Sequence, residues 1–488
     1  MLLSISTQKT YLDFLDNAYR RLDNSDRRRL RSDKYQKALE KMKLLDPAPI
    51  ESLILSCYSQ LTGRPAHDPV YYLRSFILMQ HFDFSSIEEW IKAIRFDRLY
   101  QYLLGSWFTL PVSTHYDFIN RIMQVDPHMN ELYPYLKNSG ENKKILRELK
   151  LKVGEKWENY DEGDTRYLKI KYQENAECDA NRSTLVMEKL FSLLVVKPSI
   201  ERGLIPTEHL VLSGDGSSLH IHANAFGHKI DNPEDDDHAY RYTAPDADIG
   251  WDSDIGVDYF GYTMYNISVY NKLFAIDLPV FITQRTASQH DSLTTITAAA
   301  HFFDINPDIH PEYMCYDSAS DSVHIFEYFR KKGIIPIIDW NQRRSDPKNP
   351  YAEYEFVNEN GIPVCMNGIE MCKDGYDNSK MAAKFRCPLA TGRIKECPYS
   401  GTCSPSPYGR VIKIYDKTNY KLFGPVPYKS DLWKEIYKNR TCTERINNRI
   451  LNDYGLHKTT CRNGSKHFFL ANIAGINIHL DAWVKTAA

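Results

Sequence analysis

The stretch His209-Leu210-Val211-Leu212-Ser213-Gly214-Asp215-Gly216-Ser217-Ser218 decides how the rest of the chain is interpreted. It contains a short apolar run, and an acid held between two glycines follows that run. Short apolar runs bounded by glycine are typical of buried strands. We therefore predict a strand that ends near Asp215 and delivers its carboxylate to the rim of a sheet.

Two later stretches supply acids that could act with Asp215. Residues 313–318 (YMCYDS) again form an apolar strand pattern that ends in an acid, Asp317. Residues 437–445 (YKNRTCTER) have a helical pattern, and spacings of three and four residues put Tyr437, Arg440 and Glu444 on one face of a helix. An exposed helix with a simple Arg–Glu pair is the alternative interpretation of that stretch.

The segments between these acids predict a mixed α/β sheet. Strand-like alternation occurs at 259–269 and 278–283, and apolar periodicity predicts helices at 293–303 and 322–332. A further strand is predicted at 334–338. Strands that first pair as neighbours and then alternate with helices form such a sheet, in which acids at the strand ends face a common crevice.

Carboxylates from separate elements are what two-metal phosphoryl chemistry requires. Two hard cations about 4 Å apart must be bridged and flanked by anionic oxygens. Asp215, Asp317 and Glu444 together therefore predict a site for two divalent metal ions, in a nuclease or strand-transferase that acts on DNA. Taken singly, each acid could instead cap a helix or occupy a turn. Asp321 is a rival acid that we expect to cap the helix beginning at Ser322.

The composition is that of an ordinary globular protein. Of the 488 residues, 42% are hydrophobic and 25% are charged. The net charge of −2 does not by itself indicate nucleic-acid binding, although local patches could provide it. No apolar run reaches the roughly 18 residues that a membrane span needs. We expect a cytoplasmic protein with no membrane partner.

The N-terminal region predicts an all-helical domain. Residues 47–138 show consecutive helical patterns, and Ser85-Ser86-Ile87-Glu88-Glu89 has the spacing of a capped helix start. A small helical unit of this kind could place a helix in a DNA groove. Helical packing without a nucleic-acid role fits the same patterns equally well.

Five of the ten cysteines fall between 365 and 403. In a reducing compartment such a cluster indicates metal binding before disulfides. Cys372, Cys387, Cys397 and Cys403, spaced C-x14-C-x9-C-x5-C, are the candidate ligands of a structural zinc ion, with Cys365 as a spare thiol. The spacing has no C-x2-C pair, so unpaired thiols in a small β insertion are the leading interpretation.

The motifs around the three acids resemble those of bacterial insertion-sequence transposases with a DDE catalytic core, in the class whose third motif reads Y-(2)-R-(3)-E. Tyr437, Arg440 and Glu444 match that spacing, Asp215 in SGDGSS resembles the first acid, and Asp317 in CYDSASDS resembles the second. The stretch 335–343, which ends in Arg343, is similar to the strand after the second acid. Residues 63–105 resemble the helical N-terminal domain of these enzymes. The family motif often continues to a basic residue seven positions after the Glu, where this chain has Leu451 and the nearest base is Arg449.

This resemblance implies a ribonuclease-H-like fold with Mg²⁺ or Mn²⁺ as cofactor. It implies Asp215, Asp317 and Glu444 as catalytic metal ligands, and DNA contacts from Tyr437, Arg440, Arg449 and Arg343. The implied reaction is the cutting of transposon ends and their joining to target DNA, by a homodimer in a synaptic complex associated with the nucleoid. The alternatives are a domesticated DNA-binding protein that no longer cuts and a metal-dependent nuclease without a joining step.

We predict five segments from these patterns. They are a helical N-terminal DNA-binding domain at 1–138, a linker at 139–204 that includes an apolar helix at 185–196, the first part of the catalytic core at 205–345, a cysteine-rich β insertion at 346–428, and the C-terminal part of the core at 429–488.

Overall fold

The computed structural model describes residues 5–59, 65–124, 184–226, 228–230, 239–241, 243–244, 246–253, 255–289, 291–341, 354–415, 419 and 421–487. Arg343 and most of the predicted linker lie outside these residues. The chain forms two compact units. Unit one comprises Met1–Glu208, Asp215–Ile309 and Cys442–Ala488, and unit two comprises His209–Gly214 and His310–Thr441.

Unit one begins with helices, as the sequence predicts. They are α1 (Gln8–Tyr19), α2 (Asn24–Leu30), α3 (Asp33–Leu44), α4 (Glu51–Ser56), α5 (Pro69–His81), α6 (Ile87–Phe96), α7 (Arg98–Leu104) and α8 (Val112–Ile122). The predicted cap at the start of α6 is confirmed, because the Ser86 side chain accepts a hydrogen bond from the Glu89 N–H. Gly105 ends α7 with a φ of 77°, and a Cβ there would lie 2.6 Å from the Tyr11 ring.

Helix α5 lies at the centre of this helical region and is buried on all sides from Val70 to Gln80. Three polar side chains are hydrogen-bonded to one another where this helix packs against its neighbours. The Trp90 indole N–H donates to the Ser75 hydroxyl at 2.9 Å, and that hydroxyl lies 3.1 Å from Nε2 of His115. All three side chains are buried, so each relies on the others for its hydrogen bonds.

Further elements of unit one are helices and antiparallel strands. They are α9 (Leu185–Phe191), which continues through a π-helical turn (Ser192–Val196) into α10 (Lys197–Glu201), the strands β2 (His228–Ile230), β3 (Ala239–Arg241), β4 (Asp248–Asp252), β5 (Val257–Asn271) and β6 (Ile276–Thr286), and helix α11 (Asp291–Ile305). Strand β5 pairs antiparallel with both β4 and β6. The predicted apolar helix at 185–196 is confirmed, with its second half in π-helical form.

The C-terminal helix α15 (Gly464–Ala487) packs against the N-terminal helices and against β6 within unit one. Asn477 donates to the Ile77 carbonyl at 3.1 Å, and the His479 imidazole donates to the Pro279 carbonyl at 2.7 Å. The N-terminal helices and β6 therefore both pack against the C-terminal helix. In the part of the chain that the structure describes, no helix is long and apolar enough to cross a membrane.

Unit two is built on parallel strands. The start of β1 (Val211–His220) pairs parallel with β7 (Tyr313–Tyr316), which pairs parallel with β8 (Ile335–Ile338). Helix α12 (Val323–Lys331) connects β7 and β8. A three-stranded antiparallel sheet follows, formed by β9 (Cys372–Asp377), β10 (Ala382–Arg386) and β11 (Val411–Tyr415), and then α13 (Asp431–Tyr437). Cys315, Ile337, Phe385, Phe423 and Trp433 belong to the buried core of this unit.

Two local predictions differ from the structure. Strand β1 does not end at Asp215 but continues to His220, because its polar second half still pairs within the sheet of unit one. The stretch 437–445 is not one uninterrupted α-helix. Tyr437 ends α13, a 3₁₀ turn covers Lys438–Arg440, and α14 (Thr441–Asn448) begins after it. Side chains on either side of a 3₁₀ turn do not follow the regular spacing of an α-helix.

Candidate functional site

Two aspartates follow neighbouring parallel strands of unit two. Tyr316 of β7 is paired with Ile338 of β8, and the next residues along the chain are Asp317 and Asp339. The carboxyl ends of parallel strands meet at one edge of a sheet, so both aspartates lie at the same edge. Asp317 was predicted from the sequence and Asp339 was not, although the pattern Ile337-Ile338-Asp339 repeats the signal of an apolar strand followed by an acid.

The carboxylate of Asp317 is oriented by its own backbone. Asp317 is the N-cap of a short 3₁₀ helix (Ser318–Ser320), and its side chain accepts a hydrogen bond of 3.2 Å from the Ala319 N–H. Its side chain is half-buried. The cap fixes the direction of a carboxylate that lies directly after a buried strand.

Asp339 is held by an aromatic hydroxyl. Oδ1 of Asp339 accepts a hydrogen bond of 2.7 Å from the Tyr428 hydroxyl and another of 2.9 Å from the Trp340 N–H. Burial raises the pKa of Tyr428, and the neighbouring carboxylate raises it further. The hydroxyl therefore stays protonated and donates to Asp339 throughout the neutral range.

Tyr437 lies near the same acids. Its ring stacks on Trp433, with 4.4 Å between the ring centroids, and the Arg440 guanidinium lies 5.8 Å from the Tyr437 ring centroid. Burial raises the pKa of Tyr437 to about 12, with Arg440 acting against the rise and with Asp339 and Asp317 adding to it. The Tyr437 hydroxyl is therefore a hydrogen-bond donor at neutral pH, within a group of one cation and two acids.

Asp321 does not cap α12, so that prediction is wrong. The N-cap is Ser322, and the Asp321 carboxylate instead accepts a hydrogen bond of 3.0 Å from the Asn341 N–H. It also forms an ion pair of 2.6 Å with Lys421, and its side chain is only 7% exposed. A nearly buried carboxylate needs such a partner to compensate for lost hydration, and this takes precedence over capping.

The other two predicted acids belong to unit one. Asp215 lies within β1 and is half-buried, whereas Glu444 is exposed in the first turn of α14. Two side-chain contacts hold helix α14 in place. Arg445 donates from Nε and Nη2 to the two carboxylate oxygens of Asp277, each at 2.7 Å, and the buried side chains of Asn266 and Asn447 are hydrogen-bonded. These contacts fix the helix that carries Glu444.

The predicted DNA-binding arginines have different surroundings. Arg440 is half-buried at the end of the 3₁₀ turn. Arg449 donates to the Asp481 carboxylate at 2.8 Å, and the same carboxylate forms an ion pair of 2.8 Å with the buried Lys41. Arg449 therefore contributes to a buried charge network whatever else it contacts. Arg343 lies outside the described residues.

The structure brings together three of the four predicted zinc ligands. Cys387, Cys397 and Cys403 line one small cavity of about 20 Å³, and the fourth cysteine at that cavity is Cys365 rather than Cys372. Cys372 lies in β9, and its sulfur accepts a hydrogen bond of 3.0 Å from the Thr391 hydroxyl. Sequence spacing does not distinguish Cys365 from Cys372, because that choice depends on how the loops fold back.

Metal binding by pre-positioned side chains is not observed. Within the described ranges, no group of three or more His, Cys, Asp or Glu side chains is arranged to hold a metal ion. This applies both to the carboxylates named above and to the cysteines.

A comparison with protein families gives one match. A family model described as a transposase domain (DUF772) matches residues 27–124, about a fifth of the chain, from α2 through α8. No curated protein matches the chain. The matched region supports a transposase family and a function related to transposition.

Proposed function

We propose that this chain is a DNA transposase that cuts at the ends of its insertion sequence and joins them to target DNA. The observation that carries the proposal is the transposase-domain match at 27–124 in the same chain as the third motif, formed by Tyr437, Arg440 and Glu444. The match and the motif occupy different parts of the sequence, so each supports the proposal independently. The partners are the transposon ends and target DNA, bound by a homodimer in a synaptic complex.

In this proposal Asp215, Asp317 and Glu444 are the catalytic carboxylates of a DDE-type, ribonuclease-H-like core. Support for the first two comes from the resemblance of SGDGSS and CYDSASDS to the family motifs. In each case the acid comes after an apolar strand segment. Support for Glu444 comes from its spacing to Arg440 and from the anchoring of α14 through Arg445.

Tyr437 and Arg440 are proposed to bind the DNA backbone. A guanidinium group presents several N–H donors to phosphate oxygens, and a protonated tyrosine hydroxyl adds one more. The pKa of Tyr437, raised to about 12 by burial, keeps that proton in place at neutral pH. Arg449 and Arg343 are proposed as further phosphate contacts.

Mg²⁺ or Mn²⁺ is the cofactor that the resemblance implies. When bound, such an ion activates a water or hydroxyl nucleophile and stabilises the leaving oxygen. The described residues do not by themselves provide a group that fits a metal ion. The cofactor is therefore proposed on the resemblance alone, and metal dependence must be measured.

The alternative is a DNA-binding protein of transposase descent that no longer cuts. Such a protein would retain the helical N-terminal region and the phosphate contacts, and it would not need a metal. A nuclease without a joining step is separated from a transposase by its products.

The experiment that tests the proposal uses a labelled duplex that carries the element's own end sequence, with unlabelled target DNA and either Mg²⁺ or Mn²⁺. A transposase yields cut ends and larger, joined products, and both require the metal. Cut ends without joined products identify a nuclease. Binding of the duplex with no cutting under any metal condition overturns the proposal and favours the DNA-binding alternative.

A further inference from the structure

Four cysteine side chains line one small cavity in unit two. Cys365, Cys387, Cys397 and Cys403 surround a volume of about 20 Å³, and the other lining residues include Ile394 and Arg410. All four cysteines are half-buried and are free thiols in this structure. Cys365 precedes β9, and the other three lie in the connection between β10 and β11. Four thiols around one cavity are the ligand set of a structural zinc site.

Three of the four thiols stand at the start of tight turns. The Gly368 N–H donates to the Cys365 carbonyl at 2.9 Å, the Thr391 N–H to the Cys387 carbonyl at 3.1 Å, and the Ser400 N–H to the Cys397 carbonyl at 3.0 Å. A turn directly after a cysteine reverses the chain beside that residue. Turns of this kind can converge on an ion without a regular sheet or helix around them.

A backbone hydrogen bond and a close glycine contact hold Cys387 in place. Its N–H donates to the Arg410 carbonyl at 2.9 Å. The neighbouring Gly409 has a φ of 80°, and a Cβ at that position would lie 2.7 Å from the Cys387 Cβ. Only glycine permits both the backbone conformation and this close approach. The loop that contains Arg410 is therefore held against the Cys387 turn, which brings its positive charge to the cavity.

We propose that Cys365, Cys387, Cys397 and Cys403 bind one zinc ion. Each thiol loses its proton on binding, so four protons are released, and four thiolates with Zn²⁺ leave a net charge of −2 that Arg410 partly offsets. Zinc–sulfur bonds are about 2.3 Å long. Since no group of described side chains already holds that geometry, the proposal requires the four sulfurs to approach one another when zinc binds.

This ligand set has the spacing C-x21-C-x9-C-x5-C and differs from the set that sequence spacing suggested. Cys372 is excluded because it does not line the cavity and its sulfur is already hydrogen-bonded to Thr391. Four protein ligands leave no open position for water, so the ion stabilises the loops and is not a site of catalysis. The proposal does not depend on the transposase reaction.

The first test measures thiol protection in the full chain, kept reduced. The protein is stripped with a chelator, divided into portions with and without added Zn²⁺, and alkylated, and the modified cysteines are mapped by mass spectrometry. We expect zinc to protect Cys365, Cys387, Cys397 and Cys403 and to leave Cys372 as reactive as before. Equal alkylation with and without zinc, or protection of Cys372 in place of Cys365, overturns the proposal.

The second test compares Cys365→Ser with Cys372→Ser, two single changes on neighbouring segments of the same unit. The wild-type chain and Cys372→Ser should each bind about one zinc ion by elemental analysis, and their Co²⁺ forms should show the absorption of a tetrahedral thiolate site. Cys365→Ser should lose that absorption. Retention of the full Co²⁺ spectrum by Cys365→Ser contradicts the assignment. The protection pattern of the wild-type chain gives an answer even if a variant fails to fold.

Discussion

Asp339 accepts a hydrogen bond of 2.7 Å from the hydroxyl of Tyr428, at the sheet edge that also carries Asp317. The Tyr428 side chain is buried, and its hydroxyl also accepts from the Trp340 N–H at 3.3 Å. One hydroxyl therefore connects the end of β8 to the loop before α13. This contact orders the surroundings of Asp317 without using Asp317 itself.

Removal of that hydroxyl in Tyr428→Phe should lower the free energy of unfolding by about 1–3 kcal/mol, because the half-buried Asp339 carboxylate and Trp340 N–H lose a hydrogen-bond partner on a buried tyrosine. Urea denaturation measures the change. The control is Tyr408→Phe, which removes a hydroxyl donating to Asp374 at 2.7 Å, but from a tyrosine that is 41% exposed. Water replaces an exposed partner, so the control should change stability by less than about 1 kcal/mol. Equal effects would contradict the importance of burial.

Ser75→Ala should destabilise the matched transposase region. The change leaves the buried Trp90 indole N–H and the His115 imidazole without their shared partner, at a cost of about 1–3 kcal/mol. Ser113→Ala, on the exposed surface at the start of α8, should stay within about 0.5 kcal/mol of the wild type. Thermal or urea unfolding of both variants tests the difference. A Ser75→Ala protein as stable as Ser113→Ala would show that the hydrogen bonds among Trp90, Ser75 and His115 contribute nothing to stability.

Stability should fall as the pH drops from about 6.5 to 4. Burial lowers the pKa of His115, His467 and His479 to about 4 from an ordinary value of 6.5. Between these values the unfolded chain binds more protons than the folded chain, so each histidine costs up to about 1.4 kcal/mol for each pH unit of acidification. The pKa of Asp481 is lowered from 3.8 to about 2, so this residue affects stability mainly at still lower pH. Urea denaturation at pH 7 and pH 5 measures the effect, and equal midpoints would contradict it.

Arg440 and Arg449 should behave differently when each is changed to alanine. A lost phosphate contact weakens binding to every duplex sequence and reduces the slope of log affinity against log salt by about 1. We expect this change for both variants. Only Arg449→Ala should also lower the free energy of unfolding, since it removes a partner of Asp481 beside the buried Lys41. An unchanged salt slope in Arg440→Ala would remove Arg440 from the proposed DNA contacts.

The sequence predicted the elements whose signal is local. The apolar strands before Asp215 and Asp317, the helix beginning at Ser86 and the apolar helix from Leu185 were all recognisable from a few neighbouring residues. The continuation of β1 beyond Asp215 was not, because Gly216-Ser217-Ser218 has no apolar alternation and is ordered only by pairing within the sheet.

Features that depend on long-range folding could not be predicted. Asp339 follows an apolar strand pattern, but its place beside Asp317 is known only from the pairing of Ile338 with Tyr316. Cys365 becomes a candidate only when its loop reaches the same cavity as Cys403. The role of Asp481 as the partner of Lys41 spans almost the whole chain. In such cases sequence spacing identifies candidate residues, and only the folded structure shows which of them lie together.

The most direct measurement is the metal-dependent cutting of a labelled transposon end by Asp215→Asn, Asp317→Asn and Glu444→Gln, with duplex binding measured on the same preparations. Asp431→Asn is the matched control, since Asp431 lies fully exposed at the start of α13. The proposed carboxylate triad predicts that all three variants bind the duplex yet lose cutting by at least about a hundredfold, while the control cuts like the wild type. Wild-type cutting by any one of the three variants would contradict the triad.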